Sequence, residues 1–437
     1  MGRVKELMME MEELYLRGYV KPDEENKYVC LSHFTNSHLK KFIRDNSREG
    51  KCSYCNCKTK VCKFTTFMDF VGERLTDYLG PIDDEGLYLA SSFLEKDEDE
   101  IPGFIRRGPY IAPKNVEYYT DIESLMDDFE LITDNGKLNE DMASCFNVDY
   151  WIRKDPTALL YHEEMGYAWK NFSERVKKQR YTFFKDISYY KETVDTHGVE
   201  LDVLSEVAEK VCLLEENLKA ETCIYRGRPN GGGAPYKSFE ELTAPPIKAA
   251  KTNRMSPAGV SMFYGAFEEN TCCEEIKNYL ENKETKIYVG KFRTTKDLKL
   301  INLCNIPQPN FWMKSKNDWQ TFLFLKQFHD EISRPIIAGN SELNYIPSQA
   351  FSEYLRFIQR SKDGSHFDGI IYKSSLVGTD NIVLFYDDKT SANILELISV
   401  EEQICKNQTK ENKESILTRW WNKIKSLVST KKGRVKN

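Results

Sequence analysis

The chain has 437 residues, 40% of them hydrophobic and 30% charged, with a formal net charge of -6. That length suggests two or three domains with globular, soluble cores. The acidic balance argues against a chain that is basic throughout and coats nucleic acid, and no apolar run approaches the ~20 residues needed to span a membrane.

The first residues, MGRVKELMMEMEELYL, read as an amphipathic helix. They have neither the continuous apolar stretch nor the small-residue cleavage site of a signal peptide. An intracellular, cytoplasmic location is therefore expected, and the 12 cysteines need a role in a reducing compartment. Scattered ones such as Cys145, Cys212 and Cys304 are expected as buried thiols. Clustered ones are expected as metal ligands rather than disulfides.

Residues 1–76 form the first expected domain, dense in Cys and His within VCLSHF and GKCSYCNCKTKVC. Cys30-x-x-His33 and Cys52-x-x-Cys55 are two short pairs separated by a loop. Two intervening residues let a turn aim both side chains at one ion. Two such pairs make a closed tetrahedral site, and thiolates with imidazole favour zinc. His38, Cys57 and Cys62 are alternative ligands. The competing reading is a set of free thiols, which would leave reactive cysteines exposed. Four filled positions leave no open site for catalysis, so the zinc is expected to staple a module with little core of its own.

Residues 77–218 are charged and aromatic and read as mainly helical. MGYAWKNFSERVKKQRYTFF and LDVLSEVAEKVCLLEENL carry apolar residues near a 3.6-residue period. LITDNGKLNED interrupts them as a turn. The pattern changes near Ala220. TCIYRGRP, TKIYVGKF, LKLINL, DGIIYKSS and NIVLFYD read as strands, with DWQTFLFLKQFHDEI and IPSQAFSEYLRFIQRS as helices between them. Ser348 is expected to cap the second of these helices; His329 and His366 are expected to be structural. Strands and helices without regular alternation predict an α+β domain over 219–400. The tail, 401–437, carries a lysine excess around Trp420 and Trp421. It reads as an amphipathic helix that contacts a membrane surface or a partner, or packs its tryptophans on the body.

The stretch RMSPAGVSMFYGAFEENTCCEE, 254–275, is neither a plain helix nor a plain strand. Upstream, YRGRPNGGG places Arg226 at a strand end beside glycines, where a guanidinium can bind a phosphate through two hydrogen bonds. NRMSPAG adds Arg254, FYGA adds the ring of Tyr264, and TCCEE adds a carboxylate. Downstream, FDGIIYKSS ends a strand on Ser374. Arginine, tyrosine, glutamate and serine from separate elements would line a cleft for a phosphorylated aromatic ligand. The domain has neither GxGxxG nor GxxxxGK[ST], which excludes the Rossmann and P-loop readings.

These residues resemble the RES domain, named for its arginine, glutamate and serine, over nearly the whole of 219–400. The family's strand-end arginine matches Arg226, its R-x-x-P-x-G position Arg254, and its aromatic position Tyr264. Its helix-end glutamate matches Glu275, with Glu274 as the alternative register because TCCEE has cysteine where alanine is usual. Its serine, in DG-hydrophobic-x-Y-x-S, matches Ser374. The resemblance implies an ADP-ribosyltransferase-like mixed α/β domain with NAD as its substrate, in a family that includes NAD-depleting toxins. The N-terminal half is similar to the zinc-containing, HEPN-related region that precedes some RES domains. It lacks the R-x4–6-H of HEPN ribonucleases between residues 77 and 218, which favours a structural or sensing role.

Cleavage of the nicotinamide–ribose bond passes through an oxocarbenium-like state, which a carboxylate stabilises. The resemblance gives that role to Glu275. Arg226 and Arg254 would clamp the phosphates, Tyr264 would stack on a ring, and Ser374 would hold the ribose or its phosphate. The acceptor is left open among water, inorganic phosphate and a protein side chain; the last would make the chain a protein ADP-ribosyltransferase. A non-enzymatic nucleic-acid or membrane binder is the remaining alternative. Since free NAD cleavage would poison its host, an inhibitory protein partner or antitoxin, a homodimer or an occluding segment is expected.

Overall fold

The computed structural model describes residues 18–22, 26–81, 118–154, 159–178, 203–277, 285–315, 317–334, 341–374 and 378–405. The expected N-terminal helix, residues 1–16, and the basic tail beyond Cys405 lie outside them. The described residues fall into two compact units. The first holds those up to Tyr167 together with Pro307–Phe324; the second holds those from Ala168 to Ile306 and from Leu325 onward.

The first unit opens with β1 (Tyr28–Cys30), α1 (Ser37–Asp45), β2 (Arg48–Lys51) and β3 (Lys58–Lys63). The three strands form an antiparallel sheet in the order β1-β3-β2. Helix α2 (Phe64–Tyr78) follows directly. It buries Phe64, Phe67, Met68, Val71 and Leu75, a 3.6-period stripe. Strands β4 (Leu79–Pro81) and β5 (Tyr118–Tyr119), helices α3 (Ile122–Asp128) and α4 (Gly136–Ala143), and strand β6 (Trp151–Arg153) complete it, with β6 between β4 and β5. Val29, Leu39 and Phe67 share one core with Leu125, Met142, Trp151 and Trp312. Residues on both sides of the expected boundary at 76 therefore bury their apolar area together, at about 1.5–3 kcal/mol per large side chain.

Helix α5 (Tyr161–Lys178) follows. The second unit adds α6 (Val203–Val211), β7 (Glu215–Leu218), β8 (Cys223–Asn230) and the single-turn α7 (Phe239–Leu242). Then come β9 (Phe263–Ala266), α8 (Glu269–Lys277), β10 (Thr285–Thr294), β11 (Leu298–Asn302) and α9 (Asp318–Ser333). Helix α10 (Ser341–Phe357) and strands β12 (Gly369–Lys373), β13 (Asp380–Leu384) and β14 (Leu395–Cys405) close it. Eight strands form one sheet, in the order β14-β10-β8-β9-β13-β12-β11-β7. Its pairs are antiparallel except β11 with β12. The fold is α+β.

Two local expectations change. The helical pattern 201–218 stops early, because Glu215–Leu218 pairs as β7 with β11. Helix α10 starts at Ser341, so Ser348 lies inside it and does not cap it; its hydroxyl donates to the Arg254 carbonyl at 2.5 Å. Pro347 sits within the same helix.

Candidate active site and metal centre

Cys30 closes β1, His33 lies in the 3-10 turn Leu31–His33, and Cys52 follows β2. The loop from Cys52 to β3 folds back on itself: the Asn56 amide donates to the Cys52 carbonyl, and the Cys52 amide to the Cys57 carbonyl, both at 3.0 Å. Asn56 closes that turn in the left-handed region, φ 58°, which asparagine tolerates. The ligand atoms of Cys30, His33, Cys52 and Cys55 all lie within 4.8 Å of one another. Cys30 Sγ is 3.7 Å from Cys55 Sγ, and Cys52 Sγ is 3.4 Å from His33 Nε2. Zinc–sulfur bonds of about 2.3 Å set tetrahedral edges of roughly 3.8 Å, so these spacings fit a bound zinc ion. His33 turns its other nitrogen, Nδ1, toward Asp134, 3.7 Å away. Such an outer carboxylate orients a ligating imidazole. Of the alternatives, Cys57 is exposed and Cys62 is buried in the apolar core.

In the second unit, β8 and β9 share a single register pair, Tyr225 with Ala266. Arg226 is the next residue on β8. Its guanidinium donates from Nη1 to the Tyr264 carbonyl at 2.5 Å and lies 5.4 Å from the centre of the Phe263 ring. Its Nε is buried without a hydrogen-bond partner among the described residues. Burial, with Arg228 nearby, pulls the Arg226 guanidinium down to about 10, still well above neutral pH. It is thus a retained, partly unsatisfied cation, the kind of group that suits a phosphate. Tyr264, half-buried, shares a 2.8 Å hydrogen bond between its hydroxyl and Ser256 Oγ. Burial holds that phenol above its ordinary value.

Helix α8 packs on β8 through Gly227. A Cβ there would meet Ile276 Cδ1 at 2.4 Å and Cys272 Sγ at 3.0 Å. Cys272, on the same helix as Glu275, lies against Gly227, the residue after Arg226. Glu275 is anchored from the neighbouring hairpin. Ser374 Oγ donates to Glu275 Oε1 at 2.5 Å, and Asn381 Nδ2 donates to the same oxygen at 2.9 Å. Ser374 and Asn381 are both buried. The Ser374 amide donates to the Thr379 carbonyl at 2.8 Å, and the Gly378 amide to the Ser374 carbonyl at 3.2 Å. These bonds close the hairpin and fix the serine.

The structure pairs Arg226 with the Tyr264 carbonyl, and Glu275 with Ser374 and Asn381, on strands that meet through β9. Arg254 is held differently. Its guanidinium donates to the Ile332 carbonyl and, at 2.9 Å, to the Arg334 carbonyl, and it lies 5.4 Å from the Tyr345 ring centre. It satisfies carbonyls at the C-terminal end of α9. Its neighbour Ser256 reaches Tyr264, so the RMSP loop contributes through that serine. Sequence reasoning missed Asn381. An asparagine opening a strand reads as a turn residue, and its partner lies 106 positions away.

Comparison with known families gives two matches. The family model of the HEPN/RES N-terminal domain 1 matches residues 45–189, and that of the RES domain matches residues 232–401. Arg254, Tyr264, Glu275, Ser374 and Asn381 fall inside the second span, and Arg226 lies just before it. Cys52 and Cys55 fall inside the first; Cys30 and His33 precede it. No curated protein and no solved structure matches the chain.

Proposed function

From a chain that carries a HEPN/RES N-terminal domain followed by a RES domain, we propose an enzyme that degrades NAD by breaking the bond between nicotinamide and ribose. The observation that carries this reading is the Glu275 carboxylate held through Oε1 by Ser374 and Asn381. With Oε1 engaged, Oε2 is the oxygen that faces the ribose. As the glycosidic bond breaks, its electron pair leaves with nicotinamide, and positive charge develops on the ribose. A carboxylate fixed in advance stabilises that charge without reorganising at the moment of reaction. The acceptor oxygen then bonds to the same carbon and releases its proton. Arg226 holds the pyrophosphate, and Tyr264 supplies a ring against nicotinamide or adenine.

Water as acceptor gives ADP-ribose; inorganic phosphate gives an ADP-ribose phosphate. Mass analysis of the products formed with and without phosphate distinguishes them. The reading predicts one of these two small products; labelled ADP-ribose on a macromolecule instead would make the chain a protein ADP-ribosyltransferase.

Zinc at Cys30, His33, Cys52 and Cys55 is structural in this reading: four protein ligands close its coordination. An enzyme that removes NAD needs restraint, and an antitoxin-type protein partner fits a RES domain. Among the described residues, no helix is long and apolar enough to cross a membrane.

A further inference from the structure

Arg254 is committed to the end of α9, which leaves Arg226 without the partner that the sequence suggested for it. Strand β8 carries another arginine. Residues two apart on a strand point to one face of the sheet, about 6.6–6.8 Å along it, so Arg228 shares the face of Arg226 one step nearer the strand's end at Asn230. Beyond the Tyr225–Ala266 pair, β9 no longer pairs with β8. On the other side β10 continues, with Tyr288 opposite Arg228 and Lys286 opposite Asn230. The strand then enters a glycine turn fastened by Asn230. Its Oδ1 accepts from the amides of Gly232 and Gly233 at 3.0 and 2.7 Å, and its Nδ2 donates to the Ala234 carbonyl at 2.7 Å. A Cβ at Gly231 or Gly232 would meet nothing within 4 Å, so the turn leaves this end of β8 open to a ligand.

Arg228 is half-buried, and it makes no hydrogen bond or ion pair among the described residues. The acids around it are taken. Glu241 Oε2 accepts from the amides of Lys237 and Ser238 at 2.8 and 2.9 Å. Glu402, two strands away beyond Tyr288, pairs through Oε1 with Lys286 at 2.7 Å and accepts from the Tyr288 hydroxyl through Oε2 at 2.6 Å. Burial pulls the Arg228 guanidinium below its ordinary value. A half-buried cation without a counter-ion carries a desolvation cost, and Arg226 beside it keeps a buried Nε without a partner. Two such guanidiniums on one strand face suit an anion with more than one charged group, since each planar fork can take its own phosphoryl oxygens.

We infer that Arg228 is the second phosphate-binding residue of the site, so that β8 clamps a diphosphate with Arg226 on one phosphoryl group and Arg228 on the other. The inference rests on the NAD reading for its substrate and is tested without cleavage. The full chain is titrated calorimetrically with ADP-ribose, which keeps the diphosphate, and with AMP, which has one phosphate. ADP-ribose should bind saturably and more tightly than AMP. Arg228→Met should weaken ADP-ribose roughly tenfold to a hundredfold and remove most of its preference over AMP. Arg228→Lys should restore only part of it, because an ammonium keeps the charge and lacks the fork. No ADP-ribose binding by the native chain, unaltered affinity in Arg228→Met, or an equal loss for ADP-ribose and AMP overturns the inference. Nicotinamide release from NAD, measured alongside, separates the two claims. Release with unaltered ADP-ribose affinity in Arg228→Met keeps the reaction and rejects the clamp; affinity that falls with Arg228 in a chain that releases none keeps the clamp and rejects the reaction.

Discussion

Glu275 Oε1 accepts from both Ser374 and Asn381, so each donor positions the same carboxylate. A hydrogen bond to a charged group contributes about 1.5–3 kcal/mol. Ser374→Ala and Asn381→Ala should therefore each lower kcat about 10- to 100-fold, with a smaller effect on KM. Their combination should fall short of the product of the two, since they act through one oxygen. Steady-state NAD kinetics on the three variants checks this. Arg226 makes the opposite kind of prediction. Burial pulls its guanidinium down to about 10, so the fold carries a penalty for the charged form. The sign follows: the penalty is complete at pH below about 10 and is relieved only as pH rises through 10 toward the ordinary value. At neutral pH, Arg226→Met should therefore leave the thermal midpoint unchanged or raised while abolishing NAD turnover. A lower midpoint would mean that its bond to the Tyr264 carbonyl outweighs the burial.

At the scale of elements, α8 carries Glu275 only as precisely as it seats on β8. Gly227 is the point of close approach. Gly227→Ala drives a methyl into Ile276 and Cys272; overpacking of this kind costs about 1–3 kcal/mol. Lifting α8 should move Glu275 away from Ser374, so a lowered unfolding midpoint and a loss of turnover should appear together. Much at this scale was legible in advance. The five strand segments named from β-branched and aromatic runs became β8, β10, β11, β12 and β13. What was not legible depends on distant pairing. EENL continues a helical pattern and is turned into β7 by Leu298–Ile301 opposite it. Arg254 reads as a phosphate clamp in its own loop, and only the fold brings the end of α9 to it. The four metal-ligand candidates could be named because their spacing is local; Asn381 could not, because no local pattern ties it to Glu275.

Across the whole molecule, the candidate metal site of Cys30, His33, Cys52 and Cys55 shares strand β1 with the first unit's core. The core joins residues from β1 and α2 to residues from α3, α4, β6 and Pro307–Phe324, and the cluster ties β1 to the loop after β2. Structural zinc binding is folding free energy. Metal analysis should give one zinc per chain, and a strong chelator or Cys52→Ser should lower the unfolding midpoint and expose the first unit to protease. Retention of full stability without metal would assign the four side chains another role.

The central claim is that Glu275 is the acid on which NAD cleavage depends. The most direct measurement is nicotinamide released from NAD by the full chain, beside Glu275→Gln with matched folding by circular dichroism. Replacing the charge by an amide of the same shape should cut release by about 100-fold or more while leaving the fold intact. Release at the native rate by Glu275→Gln would contradict the account and move the search to another acid, Glu274 first.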